Sequence, residues 1–208
     1  MKWLYATLFA CCACAAVQAQ QATPPDVLVK NVTSEVLDIV RKDKDIQSGS
    51  SRKVIELVDA KVLPHFNFGH MTALAVARDW RQATPAQQKT LTDEFRTLLV
   101  RTYSKALTEY RNQTLDYKPF AMKPTDTDVK VRTLIVQPGG KPVALDYYLE
   151  KVGSDWQVYD IEVSGVSLVT NYRAEFANEI RSGGIDGLIK ALQEKNRAVG
   201  DKTAAAKQ

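Results

Sequence analysis

The hydrophobic period changes once along this chain, and that change constrains the fold more than any other feature. Up to about Arg111 the apolar residues recur at helical spacings; from Thr114 to Val163 they alternate. A run of helices followed by a run of strands with short connections implies an α+β protein whose helices bury an antiparallel sheet.

Before the change, Pro24, Pro25 and Asp26 open a first helix carrying Val27, Leu28, Val32, Val36, Ile39 and Val40. The polar stretch DKDIQSGSS separates it from a second, with Val54, Ile55, Leu57, Val58 and Val62, which ends by Pro64. Asn67 is placed to cap a short third helix containing Met71, Leu74 and Ala75. Thr84-Pro85-Ala86-Gln87 combines a capping box with proline at the first helical position. The helix it starts is expected to reach about Arg111, roughly 40 Å. Leu91, Phe95, Leu98, Leu99, Tyr103, Ala106, Leu107 and Tyr110 form one stripe along it.

After the change, four strands are expected: Leu115–Lys118, Val129–Val136, Val143–Val152 and Trp156–Val163. Turns at Gln137-Pro138-Gly139-Gly140 and Gly153-Ser154-Asp155 connect the last three. A helix from Ser167 to Ser182, then Gly183-Gly184, then a helix with Ile185, Leu188, Ile189 and Leu192 close the domain. The expectation is a four-stranded antiparallel sheet with helices on one face. The space between sheet and long helix is either filled or hollow, and periodicity does not decide which.

The ends read differently. Residues 1–19, MKWLYATLFACCACAAVQA, have an early Lys2, an apolar run from Trp3 to Val17 and a small residue at Ala19, the pattern of a cleaved secretory signal. The run is short for a membrane span of about 20 residues. The domain is placed at 20–194, and the small, polar segment 195–208 is expected to be disordered. Cys11, Cys12 and Cys14 all lie in the signal, so the exported chain relies on its core and not on disulfides. The full sequence's 28 Lys and Arg against 24 Asp and Glu are interspersed, without the basic block of a nucleic-acid binder.

The chemical candidates are few. Ser167 stands in Gly165-Val166-Ser167-Leu168-Val169, which lacks the second glycine of a nucleophile elbow; a helix cap is the simpler reading. His65 and His70, five residues apart, would stand about 140° apart on a helix and cannot share a metal. No catalytic residue, metal ligand or cofactor is nominated. Two alternatives stay open: a cavity enzyme with Asp146 or Asp160 as a buried base, and an adaptor with a solid core. Strict alternation puts Asp160 on the face of Trp156 and Val158.

Two stretches carry a resemblance. VLPHFNFGHMTALAVARDWRQATPAQQ followed by FRTLLVRTYSKAL, and VYDIEVSGVSLVTNYRAEF, resemble the MlaC family of toluene-tolerance proteins, and the likeness runs from about Pro25 to Leu192. One position departs: Ala77 stands where the family often has glycine, three residues before Trp80. The resemblance implies an NTF2-like body around an apolar cavity, acting as a periplasmic phospholipid carrier without catalysis. Phospholipid is then cargo, not cofactor. The implied partners are an outer-membrane lipoprotein–porin complex and an inner-membrane ABC transporter with an MCE-domain ring. Carrying such a cargo demands burial, because two acyl chains hold on the order of 30 methylenes at about 0.8 kcal/mol each, roughly 24 kcal/mol if exposed. The expected lining is Phe95, Leu98, Leu99 and Tyr103 from the helix stripe, with Tyr147, Leu149, Val163, Val166 and Leu168 from the sheet and its joint. Trp80 and Tyr172 are expected at the rim, and Arg81 and Arg173 near the head group.

Overall fold

A computed structural model describes residues 23–205, with side chains to 199; the signal-peptide expectation lies outside these residues. Helix α1 (Pro25–Lys42) starts with proline in its first turn and ends with Arg41 and Lys42, matching the helix dipole. The short α2 (Lys44–Gln47) is capped by Asp43, which accepts from the Asp45 and Ile46 amides. Helix α3 (Ser51–Lys61) and a 3-10 turn at Leu63–His65 lead to α4 (Phe68–Val76), where Asn67 accepts from the His70 amide. Helix α4 stops at Ala77, whose φ of 58° and ψ of −128° favour glycine.

The Thr84 capping box forms as expected and starts α5 (Pro85–Tyr103). The long helix does not reach Arg111: it breaks at Ser104, and α6 (Lys105–Thr108) completes it. Helix α7 (Arg173–Ala205) is two helices meeting at Gly184, where φ is 65°. The segment expected to be disordered from Lys195 continues this helix. Asn196 is only 5% exposed, and its Nδ2 donates to the Glu94 carbonyl at 3.0 Å and carboxylate at 2.7 Å on α5. A small, polar composition concealed one buried anchor.

The sheet has five strands in the order β1 (Thr114–Tyr117), β2 (Asp128–Val136), β3 (Val143–Val152), β4 (Asp155–Val163) and β5 (Val166–Ser167), each antiparallel to the next. The additional strand, β5, is too short to alternate visibly. Ser164 (φ 49°) and Gly165 (φ 85°) make a two-residue hairpin turn that returns it along β4. Gly165 therefore turns a hairpin.

A bulge sets the faces of β4. Tyr148 lies opposite Asp160 and Leu149 opposite Val158, leaving Tyr159 as the extra residue. Parity changes there, so Asp160 lies on the opposite face from Trp156 and Val158, contrary to strict alternation.

The core is three clusters. One joins α4, α5 and α7 through Met71, Phe95, Leu98, Phe176, Leu188 and Leu192. A second joins α1 to the sheet through Val29, Val131, Tyr147, Leu149, Trp156 and Val158. The third gathers α1, α2 and α3 with Tyr110. Helix α5 thus packs on α4 and α7, and α4 meets the sheet at β4, where the Asn67 amide donates to the Val158 carbonyl at 2.9 Å.

Candidate functional site

The apolar face of the sheet can be read in cross-strand rows. At its deep end lie Val129–Leu149–Val158 and Val131–Tyr147–Ile161, covered by Leu28 and Val29 of α1. The next row is Thr133–Leu145–Val163–Val166, and beyond it comes Leu115–Ile135–Val143. Covering declines along these rows. Leu115, Ile135, Val143 and Val163 are half-buried and Val166 is 54% exposed. Together with Leu168 they belong to none of the three packed clusters. One face therefore runs from a closed core into an open apolar floor with the β4–β5 hairpin as its lip.

The residues predicted to line a pocket fall on both sides of this divide. Phe95, Leu98 and Leu99 are buried inside the helical cluster, locked by α4 and α7. Phe95 meets Tyr172 and Phe176 edge-on, with ring centroids 5.2 Å apart in each pair. Tyr103, Tyr172 and Trp80 are half-buried against the same cluster. Burial first, and then the neighbouring Tyr172 hydroxyl, pushes the Tyr103 phenol up to about 12. Tyr147 and Leu149 are buried under α1, and burial followed by the nearby Tyr117 raises the Tyr147 phenol. Val163, Val166 and Leu168 lie on the open floor and its lip.

The predicted set therefore does not form one wall. It also lacks Leu115, Ile135, Val143 and Leu145. The cross-strand register puts these four in the two outer rows, and the β2 alternation alone points at Ile135. Phe66 is a further omission, although it packs against both the helical and the sheet clusters.

Neither expected head-group arginine is near the floor. Arg81 is exposed beside α5, and the Nε of Arg173 donates to the Leu74 carbonyl at the end of α4, at 2.7 Å.

Two cavities lie elsewhere. One of about 310 Å³ sits between Leu28, Pro64, His65 and Trp156, at the lower end of the ~300–1,000 Å³ of small-molecule sites. The other, about 480 Å³, is a polar cleft with Glu94, Arg101, Gln193 and Arg197 on its walls, unsuited to an acyl chain.

The reverse face of the sheet is polar and self-paired. Lys130 Nζ lies 2.8 Å from Asp146 and 3.4 Å from Glu162, which also accepts from the Tyr148 hydroxyl. The Asp146 hydrogen bond, then that of Tyr148, holds the Lys130 ammonium above its usual range, and the Tyr148 bond lowers Glu162. His70 Nδ1 lies 2.8 Å from Glu150, and its ring stacks on Tyr159 at 4.6 Å, seating α4 against this face. Asp160 accepts from Ser167 Oγ–H at 2.5 Å and from the amides of Ile161 and Val169 at 2.8 and 3.3 Å. Ser167 in turn accepts from the Thr170 amide at 2.9 Å, capping a 3-10 turn at Thr170–Tyr172 that precedes α7. Among the described residues no three His, Cys, Asp or Glu cluster as metal ligands would, and no helix is long and apolar enough to cross a membrane.

Comparison with known proteins places this geometry. A phospholipid-binding protein from Ralstonia solanacearum, solved in complex with a phospholipid, is 42% identical and superposes with a TM-score of 0.80 over 86% of this chain and 99% of that one. A toluene tolerance protein of Pseudomonas putida is 26% identical over 165 residues, 79% of this chain and 76% of the relative. The intermembrane phospholipid transport system binding protein MlaC of Haemophilus influenzae is 22% identical over 175 residues, 83% and 82% of the two chains. Residues 30–194 match the model of the MlaC protein family, and with the fold and motifs in agreement, the chain belongs to that family.

Proposed function

We propose that this protein carries phospholipid through the periplasm between the outer and inner membranes, with the acyl chains held over the open apolar floor of its sheet. The observation that carries the reading is the half-buried row Leu115–Ile135–Val143 beside Val163 and the exposed Val166, apolar residues that belong to none of the three packed clusters. An apolar face of this extent, continuous with a core, calls for a nonpolar occupant. The phospholipid bound to the Ralstonia relative supplies the chemical class.

Such a carrier maintains outer-membrane lipid asymmetry. It receives and delivers its cargo at an outer-membrane lipoprotein–porin complex and an inner-membrane ABC transporter with an MCE-domain ring. We assign it no reaction. A carboxylate whose oxygens are committed to Ser167, Ile161 and Val169, as those of Asp160 are, makes a poor base for a ligand on the opposite face.

The test is native mass spectrometry of protein exported to a bacterial periplasm and purified without detergent, with lipid extraction alongside. The expected result is a mass excess matching one or two diacyl phospholipids. A bare polypeptide mass that persists after incubation with liposomes would overturn the reading in favour of an adaptor with a solid core.

A further inference from the structure

Asp160 is 7% exposed, and no other Asp or Glu of the described residues is buried to that degree. A carboxylate removed from water normally faces a cation. Among the described residues none pairs with this one, and its oxygens instead address a single short segment. Oδ2 accepts from Ser167 Oγ–H; Oδ1 accepts from the Val169 amide and from the adjacent Ile161 amide. Ser167 Oγ passes the connection on by accepting from the Thr170 amide at 2.9 Å and the Val169 amide at 3.3 Å.

The far end of this segment is anchored by Val169, 0% exposed in the helical cluster, but its near end, β5, has few ties of its own. Strand β5 has two residues, paired as Glu162 with Ser167 and Val163 with Val166, and one further backbone bond joins the Leu168 amide to the Ile161 carbonyl at 2.8 Å. Val166 and Leu168 flank Ser167, so a tie pulling Ser167 toward the polar face leaves them to the apolar one. The bulge at Tyr159 makes this division of labour available by turning Asp160 away from the floor.

We propose that Asp160, acting through Ser167, is a positioning residue for the lip of the phospholipid site: it sets where Val166 and Leu168 stand over the floor and so how readily cargo leaves. This rests on the carrier reading above. A neutral amide at position 160 can still accept from Ile161 and Val169 and donate to Ser167 Oγ, so the shape of the group matters and its charge does not.

The experiment loads the full exported chain with fluorescently labelled phosphatidylethanolamine and follows transfer to vesicles of phosphatidylethanolamine and phosphatidylglycerol. Amide hydrogen exchange over residues 161–172 is measured in parallel. Asp160→Ala and the milder Ser167→Ala should release the label about tenfold faster, the usual scale for deleting a buried hydrogen-bond partner. Both should expose the Val169 and Thr170 amides while β2 and β3 keep their protection. Asp160→Asn should restore most of the retention. Release at the wild-type rate from folded Asp160→Ala and Ser167→Ala overturns the proposal, and with opened amides it reduces the pair to a fold-stabilising contact. Wild-type protein that takes up no label overturns the carrier reading itself, before any variant is compared.

Discussion

The helical cluster around Phe95 and the apolar floor of the sheet use the same kinds of residue and reach opposite ends. Phe95 is 0% exposed because α4 and α7 close over the face of α5 that carries it. Val163 and Val166 sit on an equally apolar surface, yet α1 covers only the far rows of that face. Composition does not separate the two regions; the number of elements that close over each one does. A core is an apolar surface with enough neighbours, and a site is one left short of them.

The largest expected effect tests the closed side. Phe95→Ala should cost about 3–5 kcal/mol, read as a fall in the urea midpoint, because three helices cannot collapse into the space left behind. A cost under about 1 kcal/mol would mean that the helical cluster is loosely filled and that α5 lines a cavity after all. The same experiment on the open side should separate the two properties. Leu145→Asp should abolish the phospholipid mass excess while lowering stability by about 2 kcal/mol, less than the loss at Phe95, since Leu145 is only partly buried. Retained cargo would move the site off the floor.

A smaller effect is expected at the joint between the regions. Ala77 holds φ at 58°, a left-handed conformation that costs a residue with a Cβ on the order of 1 kcal/mol or more. Ala77→Gly should therefore raise the unfolding free energy by about 1 kcal/mol. An unchanged or lowered Tm would show that the strain is relieved elsewhere.

The smallest effect is a pH dependence. Burial first, opposed by the bonds from Ser167, Ile161 and Val169, raises Asp160 above the ordinary 3.8. The folded state thus holds this proton more tightly than the unfolded chain, so its contribution is fully present below about 3.8 and is lost as pH rises through the raised value. Asp160→Asn, which cannot ionise, should match the wild type in acid and become the more stable of the two toward neutral pH. Urea midpoints across that range check it, and parallel profiles would refute the assignment.

These contrasts also explain what is legible in the sequence. The capping box at Thr84, the Gly183-Gly184 break and the β2–β3–β4 meander are local, each written in a few adjacent residues, and all three appear where expected. The family resemblance, read from about Pro25 to Leu192, is matched by the family model over residues 30–194. The partition of apolar residues into core and floor is not local. Leu98 and Leu145 obey equally good periodicities, and only tertiary contacts show that one is sealed by α7 and the other is not. Strand β5 is invisible to periodicity because two residues carry no alternation. Asp160 falls on the unexpected face because a period of two assumes that no residue is skipped.

That skipped residue has a wider consequence. Because the count restarts at Tyr159, β4 is effectively two short strands joined in series but out of phase. Its first half, Trp156 to Val158, answers to α1 and the buried rows; its second, Asp160 to Val163, adds Ile161 to those rows before it answers to the hairpin and the floor. An alignment that omits the gap at Tyr159 would shift the remainder by one position and exchange the wet and dry sides of half the strand.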